Sequence, residues 1–481
     1  MSVGYGRAGL AAPEGTPMGG YLDRQGPSAG TLDPLEVSAV TWSDGERRFA
    51  LAVADLVCVN DDLAERAREA AGCELWLAAT HTHAGPETGC VPGGGPTPEP
   101  WLDLVAEAVH TAAHRAVDSE RPSEGVALRG DLRGVGADRS RPQAEAVVPL
   151  DVIAVRDGGL AGVVVVLPVH PTVLPAANLL VSADLAGAVR RALRERLGPG
   201  VWVVVATGAA GDISTRHTRR GQDAAELDRL GAVVADRCLD LLTDAARADS
   251  GEPDWGGADS GGADSGGADS GGADSGGGDP DGGDPDGGDS GGVHSGGVHS
   301  GGVHSGGPGR GGEGAGRAAG GRVWAAGSRV GTARRRIALA RAAVAADAES
   351  LAADLERAEA AGDPVSARLA RSRVEGLRAR HTPAAEAGPI DAEVGVARVG
   401  GLALVGLPGE PFLAVADQIT EAAPCPTVVL GYVNGYPGYL PTADAYRRTE
   451  YEVLASQVAE GSAEQLAATA LALLAESGPR T

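Results

Sequence analysis

Four times along this 481-residue chain, an apolar run breaks off at a residue that can bind a metal or move a proton, with Gly or Pro beside it. LWLAATHTH ends in His81 and His83 before Gly85-Pro86, and GVVVVLPVHP ends at His170. VWVVVATGAAGDIS reaches Asp212 and Ser214, and LALVGLPGE stops at Glu410. Short apolar runs bounded by turn residues read as strands buried on both faces. Polar residues at the carboxyl ends of such strands are where α/β proteins build their sites. Four strand ends of one kind predict a single cleft on which they converge.

The sequence between these runs fills in the fold. LEVSAVTWSDGERRFALAVADLVCV reads as two strands around an Asp44-Gly45 turn, a strong hairpin signal. The second strand runs into Asn60-Asp61-Asp62 and the helix LAERAREAAG, so that LWLAATHTH completes a β-α-β unit. Further helices are expected over 101–116, 184–197, 222–243 and 462–476, and hairpins at VRDGGLAG and VARVGGLAL. ARRRIALARAAVAADAESLAADLERAEA and the stretch on to Arg380 read as a helical hairpin broken at Gly362-Asp363-Pro364, with Arg334–Arg336 on a helix surface. The fold class is α/β, with mixed β-sheets flanked by helices in a single large catalytic domain.

One tract interrupts the pattern. Residues 249–321 pass from GGADS through GGDPD to GGVHS repeats and hold 13 acidic residues against 2 arginines, about −11 of the net charge of −24. Such a tract cannot bury enough apolar surface to offset its ordering entropy. A disordered insert is expected there, within a domain made of 1–248 and 322–481. The rest carries no basic stripe of the kind that binds nucleic acid, and no apolar run approaches the ~20 residues of a membrane span. Five scattered cysteines without CxxC spacing argue against a disulfide framework. With no leader-like start at MSVGYGRAG, a cytoplasmic location is expected.

The strand-end residues suit zinc chemistry. On an extended backbone, His81 and His83 would point to the same side. Two histidines and a carboxylate are a usual protein ligand set for catalytic zinc, which keeps one position open for water. Spacing alone does not choose between His81 and His83. His110 and His114 have metal-ligand spacing on their helix, but the glutamate of HExxH is missing, and a surface role is expected.

These motifs, in this order, resemble the amino-terminal catalytic domain of the neutral/alkaline (non-lysosomal) ceramidases, nearer to uncharacterised bacterial members. They are THTHAGP (Thr80–Pro86), DRS (Asp138–Ser140), VHP (Val169–Pro171), GDIS (Gly211–Ser214), PGE (Pro408–Glu410) and NGYPGYLPT…YRRTEYE (Asn434–Glu452). The resemblance implies one zinc ion per chain held by His81, His170, Glu410 and Tyr439, with Tyr436 as the competing tyrosine. It also implies that His83, Arg139, Ser214 and Tyr451 line the reacting centre. The expected activity is hydrolysis of the linear amide C–N bond of a small-molecule N-acylated amine. Zinc-activated water would attack, Arg139 and Tyr451 would stabilise the oxyanion, and His83 would move the proton. Ser214 would orient the substrate or be the nucleophile itself. A true ceramidase, a zinc esterase or lactamase, and a catalytically silent binding protein are the alternatives. Thr215-Arg216 after GDIS departs from the family's pattern, and RHTRRGQD brings positive charge close to Ser214.

Overall fold

The apolar runs pair into three sheets whose inner faces meet. The computed structural model describes residues 1–141, 145–250, 319–342, 348–380, 388–448 and 450–477. Met1–Ser250 and Gly316–Thr481 form one compact unit. The disordered insert expected over 249–321, with His294, His299 and His304, lies outside the described residues apart from its edges.

The first sheet holds β1 (Ser2–Leu10), β2 (Leu35–Ser43), β3 (Arg48–Ala54) and β4 (Glu74–Ala79), in the order β4-β3-β2-β1 with a short edge strand at Arg121–Pro122. The β2–β3 turn forms as expected. Asp44 Oδ1 accepts the backbone N–H groups of Glu46 and Arg47, and Gly45 takes the left-handed φ of 91° that favours glycine. β3 then crosses through α1 (Asp61–Ala71) to pair in parallel with β4, the predicted β-α-β unit. α1 and α2 (Trp101–Asp118) cover the sheet's outer face with a core of Ala, Val and Leu.

The second sheet runs β8-β7-β6-β5-β9, from β5 (Glu124–Arg133), β6 (Val147–Asp157), β7 (Gly159–Leu167), β8 (Trp202–Thr207) and β9 (Ala319–Trp324). It packs under α3 (Asp184–Leu197) and α4 (Ala224–Ser250). The third sheet runs β10-β11-β12-β13, from β10 (Val330–Leu339), β11 (Ile390–Val399), β12 (Leu402–Gly406) and β13 (Thr427–Leu430). α7 (Leu413–Ala422) and α8 (Ser462–Glu476) back it. The other faces of all three sheets share one aromatic-centred core, with Trp42, Phe49 and Trp76 beside valines of β6, β7 and β8 and the apolar residues of β11 to β13. A Cβ on Gly395 of β11 would stand 2.6 Å from the Trp76 ring, so this close approach of two sheets requires glycine. Removing a ring buried like Trp76 typically costs roughly 3–5 kcal/mol.

Two expectations are corrected. Residues 330–339 form a strand antiparallel to β11, not the start of a helix. Arg/Ala-rich sequence has strong helix propensity, but pairing overrides it here. Arg334 and Arg336 reach Glu393 on one face, while Arg335 reaches Glu476 on the other, the two-residue alternation of a strand. The helical hairpin is confined to α5 (Ala348–Ala360) and α6 (Pro364–Ala379). Secondly, Cys58 and Cys90 form a disulfide across a sequence separation of 32. Their spacing in the chain gave no sign of it. They meet because the loop after β3 and the loop after β4 leave adjacent parallel strands at the same end.

Candidate metal centre

The four apolar runs do end in one place, and backbone pairing sets the alignment. After β7 and β8, His170 bridges to Ser214, and its N–H donates to the Ile213 carbonyl at 2.9 Å. Ile213 and Ser214 pair antiparallel with Asp138 and Ala137, and the Arg139 N–H donates to the Asp212 carbonyl at 2.9 Å. Beyond β12, Glu410 pairs in parallel with Tyr439. β4 stops at Ala79, and His81 adopts a left-handed φ of 63°. That conformation costs a non-glycine residue roughly 1 kcal/mol or more. His81 and His83 therefore do not meet through an extended i, i+2 register; the turn at His81 brings them together.

His81 Nδ1–H donates to the Val57 carbonyl at 2.6 Å, and His170 Nδ1–H donates to the Ala210 carbonyl at 2.8 Å. Each ring therefore turns a bare Nε2 inward, the tautomer that second-shell carbonyls impose on metal-binding histidines. These two Nε2 atoms lie 2.9 Å apart. Glu410 Oε2 is 3.4 Å from the first and 3.1 Å from the second. It is buried without a hydrogen-bond partner among the described residues. Three electron-pair donors facing one another in a buried space repel unless a cation lies between them. Tetrahedral zinc at ~2.0–2.1 Å from its ligands sets them about 3.3 Å apart, close to the spacing seen. The residues fit a metal.

His83 completes the cluster, with Nε2 3.2 Å from His81 Nε2, and the ligand atoms of His81, His83 and His170 all lie within 4.8 Å of one another. The three histidines can therefore hold a metal. Unlike the other two, His83 has no partner for Nδ1 among the described residues. Burial, then the neighbouring His81 and His170, push the His83 pKa well below its ordinary value. Burial would raise the Glu410 carboxyl, but His81 and His170 hold it well below the usual range. Tyr436 hydroxyl donates to Glu410 Oε1 at 2.6 Å, so this tyrosine is committed to the carboxylate's other oxygen. Tyr439 instead lies with its ring nearly parallel to His170, centroids 6.3 Å apart, and Tyr451 meets its edge at 5.8 Å.

The positive charge at the centre is Arg139. Its guanidinium is buried 5.2 Å from the Tyr439 ring centroid and 5.6 Å from that of Tyr451, and it hydrogen-bonds the Gly211 carbonyl. Ser214 Oγ accepts the backbone N–H of Arg216 at 3.3 Å. Among the described residues no imidazole or carboxylate hydrogen-bonds that hydroxyl.

No protein-family model matches the chain, nor does any curated protein. Among solved structures, the neutral ceramidase from Pseudomonas aeruginosa aligns with 98% of this chain and 74% of its own, at a TM-score of 0.66 and 16% identity. The chain has the neutral-ceramidase fold. A ceramidase complexed with C2 gives a TM-score of 0.65 with the same coverage and identity. The resemblance read from the ordered motifs thus holds for the fold.

Within this ceramidase fold several working parts had no reading in the sequence. Glu452 is completely buried, and its Oε1 sits 2.5 Å from Arg139 Nε. Tyr432, also completely buried, stacks on the His81 ring at 4.2 Å. Gly20, at φ 91°, packs so closely on His83 that a Cβ would lie 2.6 Å from the ring, and Tyr21 meets the same ring edge-on at 4.9 Å. Glu452 closes the YRRTEYE motif, but nothing in the sequence marked it as the partner of Arg139. The centre opens onto a cleft of about 650 Å³ whose far wall is α5 and α6, through Leu355, Arg371, Val374, Glu375 and Arg378. The hairpin that reads as packing also walls the site. His110 and His114 stay on the exposed face of α2, as expected.

Proposed function

We propose that the chain is a zinc-dependent amide hydrolase acting on an N-acylated amine or amino compound, with 1–248 and 322–481 as its catalytic domain. What carries the reading is the inward-facing pair of bare imidazole nitrogens, joined by the orphaned Glu410 oxygen, at the floor of an open cleft. His81, His170 and Glu410 would hold the zinc, with Tyr439 as fourth ligand. Burial pushes the Tyr439 phenol well above its ordinary pKa, an effect that Arg139 only partly offsets, so a phenolate there calls for a further cation. Bound zinc would supply Lewis acidity, making water more acidic and the amide carbonyl more electrophilic.

The remaining work falls to the chain's own groups. Arg139, charged and fixed by Glu452, and the Tyr451 hydroxyl would donate to the carbonyl oxygen as negative charge develops. His83, neutral at physiological pH, would take a proton from attacking water and return it to the leaving nitrogen. Ser214 would orient the substrate, because among the described residues no base hydrogen-bonds it to make it a nucleophile. The disulfide favours an oxidising compartment over the cytoplasm.

The test is amine release from a panel of N-acyl compounds, ceramide included, by the full chain before and after chelation. Release that needs about one zinc per chain supports the reading; a chain that takes up zinc yet cleaves nothing on the panel removes it. Ceramide as the preferred substrate would make the chain a ceramidase in activity as well as in fold.

A further inference from the structure

The run of charges following Ser214 separates in space. Arg216 and Arg219 line the cleft together with Ser214, Thr172 and Gln222. His217 turns away and bonds the Arg139 carbonyl through Nε2 at 3.1 Å, while Arg220 lines a different hollow beside Arg229. The cleft wall holds five arginines, Arg139, Arg216, Arg219, Arg371 and Arg378, against two acids, Asp23 and Glu375, in a chain of net charge −24. Arg139 is met by Glu452, and Arg371 by Glu359 at 2.6 Å. Arg219 donates to the Thr172 carbonyl.

Arg378 is exposed and Arg216 is not. It is half-buried, two residues from Ser214, and held there by its own backbone N–H on the serine Oγ. Among the described residues no carboxylate lies within ion-pair distance of its guanidinium. Burying a guanidinium beside Arg139 costs free energy, which the more distant Glu452 and Glu375 offset only in part. An anionic ligand would offset the rest. A guanidinium presents a planar fork of N–H donors that matches a carboxylate.

We propose that Arg216 is the specificity residue of this cleft, and that the substrate is an N-acyl amino acid whose free carboxylate it receives. The inference rests on the amide-hydrolase reading for what is cleaved, though not for what is bound. In the reaction, the amide C–N bond breaks and a C–O bond forms from water. The acyl group leaves as a carboxylic acid, and the nitrogen, having taken a proton, leaves as the amine of the amino acid.

The probes are N-hexanoylglycine and its uncharged relative N-hexanoylglycinamide. They are titrated calorimetrically into the metal-free full chain, so that the carboxylate cannot report binding to a metal. The expected result is roughly ten-fold tighter binding of the carboxylate, falling with added salt as a charge-assisted contact should. Arg216→Gln should reduce that preference to less than about three-fold, while Arg220→Gln, whose side chain lies outside the cleft, should keep it. Equal binding of the two probes, or a preference that survives Arg216→Gln, overturns the proposal. A preference that Arg216→Gln abolishes, with no amine released from either probe by the zinc-loaded chain, would uphold the anion site and remove the amide-hydrolase reading instead.

Discussion

The Nε2 atoms of His81 and His170 face each other at 2.9 Å, although each ring has already committed its Nδ1 proton to a backbone carbonyl. A pair so arranged has no proton to share and is satisfied only by a cation. The first prediction follows from this geometry. His81→Ala and His170→Ala should each lower zinc affinity by at least ~100-fold, since each loses a ligand and leaves Glu410 beside a hole. His83→Ala should keep about one zinc per chain and lose turnover. Elemental analysis of the purified variants, beside amine-release rates, checks both halves. Zinc lost from the His83 variant and kept in the His81 variant would reverse the two roles.

Glu452 should matter through Arg139. Replacing one partner of a buried ion pair leaves the other charged and unmatched, at a cost of roughly 3–5 kcal/mol. Glu452→Gln should therefore unfold at markedly lower denaturant than the wild type. Arg139→Gln with Glu452→Gln should regain much of that stability, yet stay inactive for want of the oxyanion donor. A denaturation midpoint unchanged in the single variant would show that the pair contributes nothing to stability.

Ser214→Ala should turn over within about ten-fold of the wild type, because the hydroxyl's bond is to a backbone N–H and not to a base. Single-turnover rates check this, and a drop of ~10⁴ or more would make the serine the nucleophile.

The cysteines give a test independent of activity. Alkylation of the unfolded, unreduced chain should label three thiols, those of Cys73, Cys238 and Cys425, and reduction should expose two more. With a sequence separation of 32, chain-entropy reasoning assigns the Cys58–Cys90 bond about 3–4 kcal/mol, so Cys58→Ser should melt measurably lower. Five labels without reductant would rule the bond out.

Away from the centre, burial pushes the Asp151 carboxyl up to about 6, with Arg129 at 3.5 Å too loosely placed to hold it down. The folded chain then keeps a proton that the unfolded chain releases near pH 4. The stability this contributes is complete below about pH 4 and is lost as pH rises to about 6, roughly 3 kcal/mol in all. Asp151→Asn should have a flatter stability profile across that window, read by denaturant unfolding at each pH. Parallel wild-type and variant profiles would place the Asp151 pKa near its ordinary value.

Much of this molecule is legible in its residues, for identifiable reasons. The Asp44-Gly45 hairpin, the β3–α1–β4 crossover and α8 follow from apolar period and turn chemistry, which are local properties. So is the abrupt end of each apolar run at His81, His170, Ser214 and Glu410, and the family resemblance rests on those same positions. Where local signals misled, a partner distant in sequence had the larger say. The Arg-rich run at 330–339 has helix propensity and is a strand because β11 lies beside it with Glu393 on one face.

The chemistry of the site, then, resides in residue types that any reader of the chain can find. Their roles do not. Whether a histidine offers a lone pair or a proton depends on the carbonyl behind it, and Val57 and Ala210 are 24 and 40 residues from the rings they orient. Whether a buried arginine is paired or left open depends on the acid opposite it: Arg139 has Glu452, 313 positions away, and Arg216 has none within ion-pair distance among the described residues. Such pairings form only when separate sheets close on one another, because hydrogen bonds and ion pairs act over a few ångströms of space, whatever the distance along the chain.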